Sequence, residues 1–200
     1  GGSRRVGAEI ARIMHATGAN LMIHYRSTAK EARALQEELN AVRENSVALI
    51  QADLLDTPVL PSLVTQTVAV FGGLDVLVNS AGITMNLPFA RVTAEQFDTL
   101  YHVNIRAMFF ATQACVPTMV AQGQGVVINL SSVHAYEGMP EHTVYAGTKG
   151  AIVSFTRALA VELALKGIRV NAIAPGSVIV ENHYKAVGEI DLEGAGREIP

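Results

Sequence analysis

The chain contains no tryptophan and a single cysteine, Cys115. An internal disulfide is therefore excluded. Cys115 sits in the apolar pattern of a helix and reads as a buried, inert thiol rather than a nucleophile. No apolar run approaches the ~20 residues that a membrane-spanning helix needs, and no secretory leader pattern is visible in these residues. Neither sign of charge dominates: the net charge is −3 and the pI about 6.1. That balance leaves no electrostatic footprint for a nucleic acid or an anionic membrane. The six histidines lack metal-ligand spacing such as His-x-x-x-His, so no metal site is expected. Repeats, linkers and low-complexity tracts are also missing. What remains is half apolar over 200 residues, enough for one domain, 1–200, with a sizeable core, suited to a reducing cytoplasm.

Hydrophobic periodicity divides the chain into alternating elements. Val6, Ile10, Ile13 and Met14 recur at helical spacing between Arg4 and Ala16, with Gly18 as a stop. Ala19 to Tyr25 reads as a strand. Glu31 to Val42 reads as a helix with Leu35, Leu39 and Val42 inward, and Val47 to Ala52 as the next strand. Thr57 is placed to cap a helix that begins at Pro58 and runs to Phe71. Leu74 to Asn79 is a continuous apolar strand, the pattern of a sheet covered on both faces. Thr93 and Gln96 form a capping box for a long helix to Gln122, which Pro117 should kink or interrupt. A strand at 126–130, a helix at 145–165 and a strand from Ile168 to Ala174 follow. Such alternation predicts an α/β fold with a doubly wound parallel sheet. Beyond Gly176 the pattern fades, and 177–200 reads as a loop region with a possible short helix.

The chemistry concentrates between Asn129 and Gly150. Tyr145 and Lys149 are four residues apart and share one helical face. Ser132 leaves the C-terminal end of the strand before them, where open α/β sheets place their ligands. A free tyrosine ionises near pH 10 and is a poor acid–base at neutrality. A neighbouring ammonium would lower that value and let Tyr145 exchange a proton with a substrate oxygen. Ser132 could donate a hydrogen bond to the same oxygen. The trio suits carbonyl reduction or alcohol oxidation, with a cofactor handling the hydride. A Tyr-x-x-x-Lys pair alone is common on solvated helix faces; the serine thirteen residues upstream, at a strand end, makes the difference.

Ser132, Tyr145 and Lys149 at this spacing resemble the catalytic residues of the short-chain dehydrogenase/reductase family. The resemblance runs nearly end to end, through Gly1-Gly2-Ser3-Arg4-Arg5-Val6-Gly7, Asp53, Asn79-Ser80-Ala81-Gly82, Asn104 and Pro175-Gly176. It implies a Rossmann-type NADP-binding domain. Gly1, Ser3, Arg4, Arg5, Val6 and Gly7 then form the phosphate-binding loop before a helix N-terminus. Gly-Gly-Ser at a chain start also has the composition of an expression scar, but the spacing continues correctly into Val6-Gly7. Asp53 and Leu54 fall at the adenine contact, although a helix-start carboxylate is the alternative for Asp53. Asn79, Ala81 and Gly82 fall along the cofactor, with Ser80 in place of the family's second asparagine. Pro175, Gly176 and Val178 flank the nicotinamide. Asn104 takes the place of an asparagine that holds a water in a proton relay through Lys149.

Cofactor choice is read at the end of the second family strand. NAD-preferring relatives place a carboxylate there. This chain has His24-Tyr25-Arg26-Ser27, so Arg26 and Ser27 are expected to hold a 2′-phosphate, with Arg4 as a second basic candidate. NADP(H) is the cofactor this implies. Arg5 replaces the family's middle glycine, as in the pteridine-reductase branch, whereas Ser132 replaces the aspartate of some pteridine reductases. The resemblance thus points to a general carbonyl reductase such as the 3-oxoacyl-thioester reductases or sugar dehydrogenases. A pteridine reductase is one alternative, and a catalytically idle NADP(H)-binding sensor or scaffold another. Met85, Leu87, His134, Tyr136, His142 and Tyr184 are candidate pocket residues by position. Family members pair through helices matching 93–122 and 145–165, so a homo-oligomer, dimer or tetramer, is expected, with Ile152, Phe155, Leu159 and Leu163 as extra apolar surface. Finally, the family's first and last strands have no counterpart in these residues. Strands 19–25 and 74–79 should then flank a gap instead of hydrogen-bonding to each other.

Overall fold

The computed structural model describes residues 1–178. Five strands alternate with six α-helices in the order α1 Arg5–Ala16, β1 Leu21–Tyr25, α2 Ala29–Val42, β2 Val47–Gln51, α3 Leu60–Phe71, β3 Val76–Asn79, α4 Ala94–Tyr101, α5 Ala107–Gln122, β4 Gly125–Leu130, α6 Thr143–Leu163 and β5 Ile168–Ile173. Every strand pair is parallel. β1 pairs with β2, and β4 lies between β3 and β5. The register sets Asn79 opposite Asn129 and Leu130 opposite Ile173, so the ends of β3, β4 and β5 open on one edge. This is a Rossmann-type α/β fold.

β1 and β3 do not pair with each other, as the expected gap requires. A cavity of about 530 Å³ separates them, lined by Ile23, Ile50, Val64, Leu77 and Met108 among others. The core is divided accordingly. Ala8, Ala11, Ile23, Leu35, Leu39 and Val47 pack around β1 and β2. Val64, Leu74, Cys115, Met119, Val127, Leu163, Ile168 and Val170 pack around β4 and β5. β3 borders the cavity, so Val76 is exposed despite its apolar sequence.

Four details depart from the sequence reading. Val42 is 80% exposed, because α2 turns its last residue away from the Leu35–Leu39 stripe. Thr57 does not cap a helix: it opens a 3₁₀ turn, Thr57–Val59, and its hydroxyl is buried without a partner. Pro117 sits inside α5 without ending it. The long helix is interrupted instead at His102–Arg106, a π-helical segment joining α4 to α5. Ile152 and Leu163 belong to the core, and Phe155 and Leu159 are half-buried. The capping box is present as read, with Thr93 Oγ accepting from Gln96 N at 3.2 Å and Gln96 Oε1 from Thr93 N at 3.0 Å. Of the region 177–200, only Ser177 and Val178 lie within the described residues; Tyr184 lies outside them.

Candidate active site

The glycine-rich segment closes tightly onto α1. A Cβ on Gly7 would stand 2.0 Å from the Gly1 carbonyl oxygen, so only glycine fits there. No side chain caps the N-terminus of α1, which leaves backbone N–H groups at the positive end of the helix dipole available to an anion. Beside it lies a cleft of about 260 Å³. Gly1, Ser3, Arg4, Arg26, Ser27, Asp53, Leu54, Ala81 and Gly82, all expected at a cofactor, line it. His24, Tyr25, Thr28, Ile83 and Val103 line it too, and sequence reading missed all five as contacts. Thr28 had a usable signal in its place beside Arg26-Ser27 at a helix start; its hydroxyl bonds Ser3 Oγ at 2.7 Å and ties the two loops together.

The basic side chains differ in their engagements. Arg4 faces Glu31 at 3.8 Å, both half exposed. Arg26 is exposed and has no ion-pair partner among the described residues. His24 is pushed down to about 4 by burial, and its Nε2 lies 3.0 Å from the Ala52 carbonyl. The neutral ring therefore donates through Nε2 to that carbonyl and fixes the floor of the cleft between β1 and β2. Asp53 spends one carboxylate oxygen on the N–H of Leu55, at 3.0 Å, within its own turn.

Asn79 serves the sheet. Its amide donates to Thr112 Oγ at 3.0 Å and to Asn129 Oδ1 at 2.8 Å, and the Asn129 amide donates to Thr156 Oγ at 2.9 Å. This chain crosses from α5 through β3 and β4 to α6 and fixes the strand ends that carry the site. Asn104 is buried in the π-helical segment. Its Oδ1 accepts from Ile83 N, and its amide donates to the Ile83 carbonyl, both at 2.9 Å, and to Thr148 Oγ at 3.1 Å. The side chain thereby clamps the loop after β3 to α6.

At the end of β4, Ser132 is buried and extended, and accepts from His134 N at 3.3 Å. Pro175 accepts from Val133 N at 3.0 Å, which sets Pro175 and Gly176 beside the serine's turn. Ser131, another residue the sequence reading passed over, donates to the Lys149 carbonyl at 2.8 Å and pins α6 against the strand end. Tyr145 and Lys149 stand one turn apart on α6, with Lys149 Nζ 5.5 Å from the tyrosine ring centre. The ammonium donates to the Leu130 carbonyl at 2.7 Å, and burial pulls Lys149 down to about 8. Burial raises Tyr145, with the nearby Ser132 hydroxyl opposing it. Desolvation is the largest influence on the phenol, and the ammonium beside it is held by the Leu130 carbonyl.

Among known proteins, the short chain dehydrogenase family matches residues 1–187. The chain belongs to the short-chain dehydrogenase family. It is an oxidoreductase acting on a carbonyl or alcohol group. The 3-oxoacyl-acyl-carrier-protein reductase of Staphylococcus aureus is 37% identical over 179 residues, covering 90% of this chain and 72% of the relative. A hydroxynaphthalene reductase of Aspergillus fumigatus is 40% identical over 178 residues, covering 89% and 64%. Two solved structures of ElxO are similar: one with NADP bound at a TM-score of 0.86 and 30% identity, covering 92% of this chain and 74% of that one. The other is a tyrosine-to-phenylalanine variant with NADPH bound, at 0.89 and 28%, covering 98% and 80%. No helix among the described residues is long and apolar enough to cross a membrane.

Two features of this short-chain dehydrogenase carry predictions of their own. Arg5 holds a left-handed backbone, φ +50°, at the position where the family resemblance expects glycine. That conformation costs a non-glycine residue about 1–2 kcal/mol. Arg5→Gly is expected to raise stability by about 1 kcal/mol, read as a higher urea midpoint at unchanged slope; an unchanged or lower midpoint would contradict the strain. Lys149 falls from its usual 10.5 to about 8 in the folded chain. Between those values the unfolded chain binds the extra proton, so folding stability rises with pH across the window. Relative to Lys149→Met, the wild type should gain roughly 3 kcal/mol between pH 8 and 10.5. A pH-independent difference between the two proteins would show that the ammonium is not desolvated.

Proposed function

We propose that this short-chain dehydrogenase is an NADP(H)-dependent reductase of a carbonyl substrate, with 3-oxoacyl thioesters the first class to test. The convergence of Ser132, Tyr145 and Lys149 at the end of β4 carries the reading. The residues present fit the cofactor: the uncapped N-terminus of α1 suits a pyrophosphate, and the exposed Arg26, with no ion-pair partner among the described residues, suits a 2′-phosphate together with Ser27. When bound, the reduced nicotinamide supplies the hydride. Ser132 holds the substrate oxygen by a hydrogen bond, and Tyr145 delivers a proton to that oxygen as charge develops on it. Lys149 keeps a positive charge at the strand end, anchored on Leu130. Asn104, through Ile83 and Thr148, holds the loop and the helix that frame these groups. Met85, Leu87 and Tyr136 are our candidates for contacts with the rest of the substrate.

The names of the reductase relatives and the NADP- and NADPH-bound neighbours support this reading. We place the chain as one cofactor-binding domain acting in the cytoplasm. We also propose a homotetramer built on α4–α5 and α6, where Phe97, Phe109, Val161 and Leu165 are exposed. The decisive test is NADPH oxidation against a panel of 3-oxoacyl thioesters, cyclic aromatic ketones and pterins. Turnover that Tyr145→Phe abolishes is the expected result. Tight NADPH binding without turnover of any member would favour the idle sensor.

A further inference from the structure

Twelve residues separate Ser132 from Tyr145 in the chain, yet two imidazoles join their segments in space. His134 sits in the 3₁₀ turn Val133–Ala135 that follows Ser132, and His142 immediately precedes α6. Their rings stack with centres 4.9 Å apart and planes 27° from parallel. Both meet the Tyr145 ring edge-on at 74°, at 5.8 Å from His134 and 6.3 Å from His142. Each imidazole is rooted in a different piece of chain. The backbone N–H of His134 donates to Ser132 Oγ, whereas His142 Nδ1 donates to the Pro140 carbonyl at 2.8 Å.

This end of α6 needs an external hold. No side chain caps it, and first helical turns have N–H groups that the helix cannot satisfy. The bonds from Ser131 and Lys149 fasten α6 one turn further along. Among the described residues, the loop before the helix is tied to the turn after Ser132 only near its start, where Tyr136 N and Glu137 N donate to the Val133 carbonyl at 2.8 and 2.9 Å; near its end Leu87 N donates to the Glu141 carbonyl at 2.9 Å. His134 Nδ1 is buried with no hydrogen-bond partner among the described residues, so hydrogen bonding within them does not explain why its ring lies here. The stack does.

We infer that His134 and His142 form an imidazole staple that keeps the Ser132 hydroxyl and the Tyr145 phenol in register, which makes both histidines positioning residues for the proton transfer. The inference rests on the reading of Tyr145 as the proton donor. The nearby Ser132 hydroxyl lowers the tyrosine against the opposing effect of burial, so a loosened staple that lets the two groups part should move Tyr145 upward. The other ionisable groups about it are Lys149 on its own helix and Tyr101 of α4, whose hydroxyl lies beside Gly147; Glu137 and Glu141 on the connecting turn are exposed.

The test uses the full chain with His134→Ala, His142→Ala, their double variant, and the single Phe and Leu variants at each position. Tyr145 is titrated by near-ultraviolet difference absorbance against Tyr145→Phe, and kcat and KM are followed with pH. Each Ala variant should raise the Tyr145 ionisation and lower kcat about tenfold, a part of the 10²-fold that a 1 Å misplacement can cost, with KM for NADPH unchanged. The double variant should be no worse than either single one, because losing one ring removes the stack. Phe keeps a flat ring and should restore both readouts; Leu fills the space without a ring and should not. Additive losses, an unmoved tyrosine, or Leu performing as well as Phe would overturn the staple. If the Ala variants fail to fold, the Phe and Leu pair decides alone. A wild type inactive on every carbonyl would remove the reductase reading, while the titration would still decide the staple.

Discussion

Tyr145→Phe is expected to lower turnover by roughly 10²–10⁴-fold, the contribution of a positioned general acid, while NADPH binding persists. The substitution removes one hydroxyl and keeps the ring that meets His134, His142 and Lys149. The frame around it stays intact: Asn104 holds Ile83 and Thr148, and Ser131 holds the Lys149 carbonyl. The loss should therefore fall on kcat, with little change in KM for the cofactor. Steady-state kinetics and a cofactor titration on the same preparation separate the two. Turnover close to wild type would remove Tyr145 from the proton transfer, and a matching loss of NADPH binding would mean that the phenol supports the fold.

Arg26→Asp is expected to reverse cofactor preference. A charge-assisted hydrogen bond contributes about 1.5–3 kcal/mol, so NADPH should lose about 10- to 100-fold in affinity, while NADH use rises as the carboxylate accepts ribose hydroxyls. The structure sharpens the choice between the two candidate arginines. Arg4 already faces Glu31 across 3.8 Å, whereas Arg26 lies exposed on the cleft wall with Ser27 and has no ion-pair partner among the described residues. The ratio of kcat/KM for the two cofactors reads the effect directly. An unchanged ratio would move phosphate recognition to Arg4, and the same change made at Arg4 would then reverse it.

Much of the site was legible because its signals are local. Tyr145 and Lys149 share a face through helical periodicity alone, and Ser132 follows a β-branched run that ends where parallel sheets open. The capping box at Thr93 and Gln96 likewise closes within one turn. The failures lie where distant segments decide. Pro117 was read as a kink or an interruption of the long helix because proline lacks an N–H. The break is at His102–Arg106, where Asn104 must reach Ile83 and Thr148. Asn104 was legible through the family resemblance, but the partners that hold it come from two other elements.

By itself, then, the sequence determined the alternation of strands and helices, the family, and the placing of Ser132, Tyr145 and Lys149 about one strand end, since each follows from local spacing or from ordered motifs. Tertiary structure alone decided the environment of those groups. Burial lowers Lys149 and raises Tyr145, Leu130 claims the ammonium, and Thr28 reaches Ser3 across the loops. Only in three dimensions do His134 and His142 stack against the tyrosine. Desolvation and side-chain contact depend on which atoms surround a group, and most of those atoms belong to residues far away in the chain.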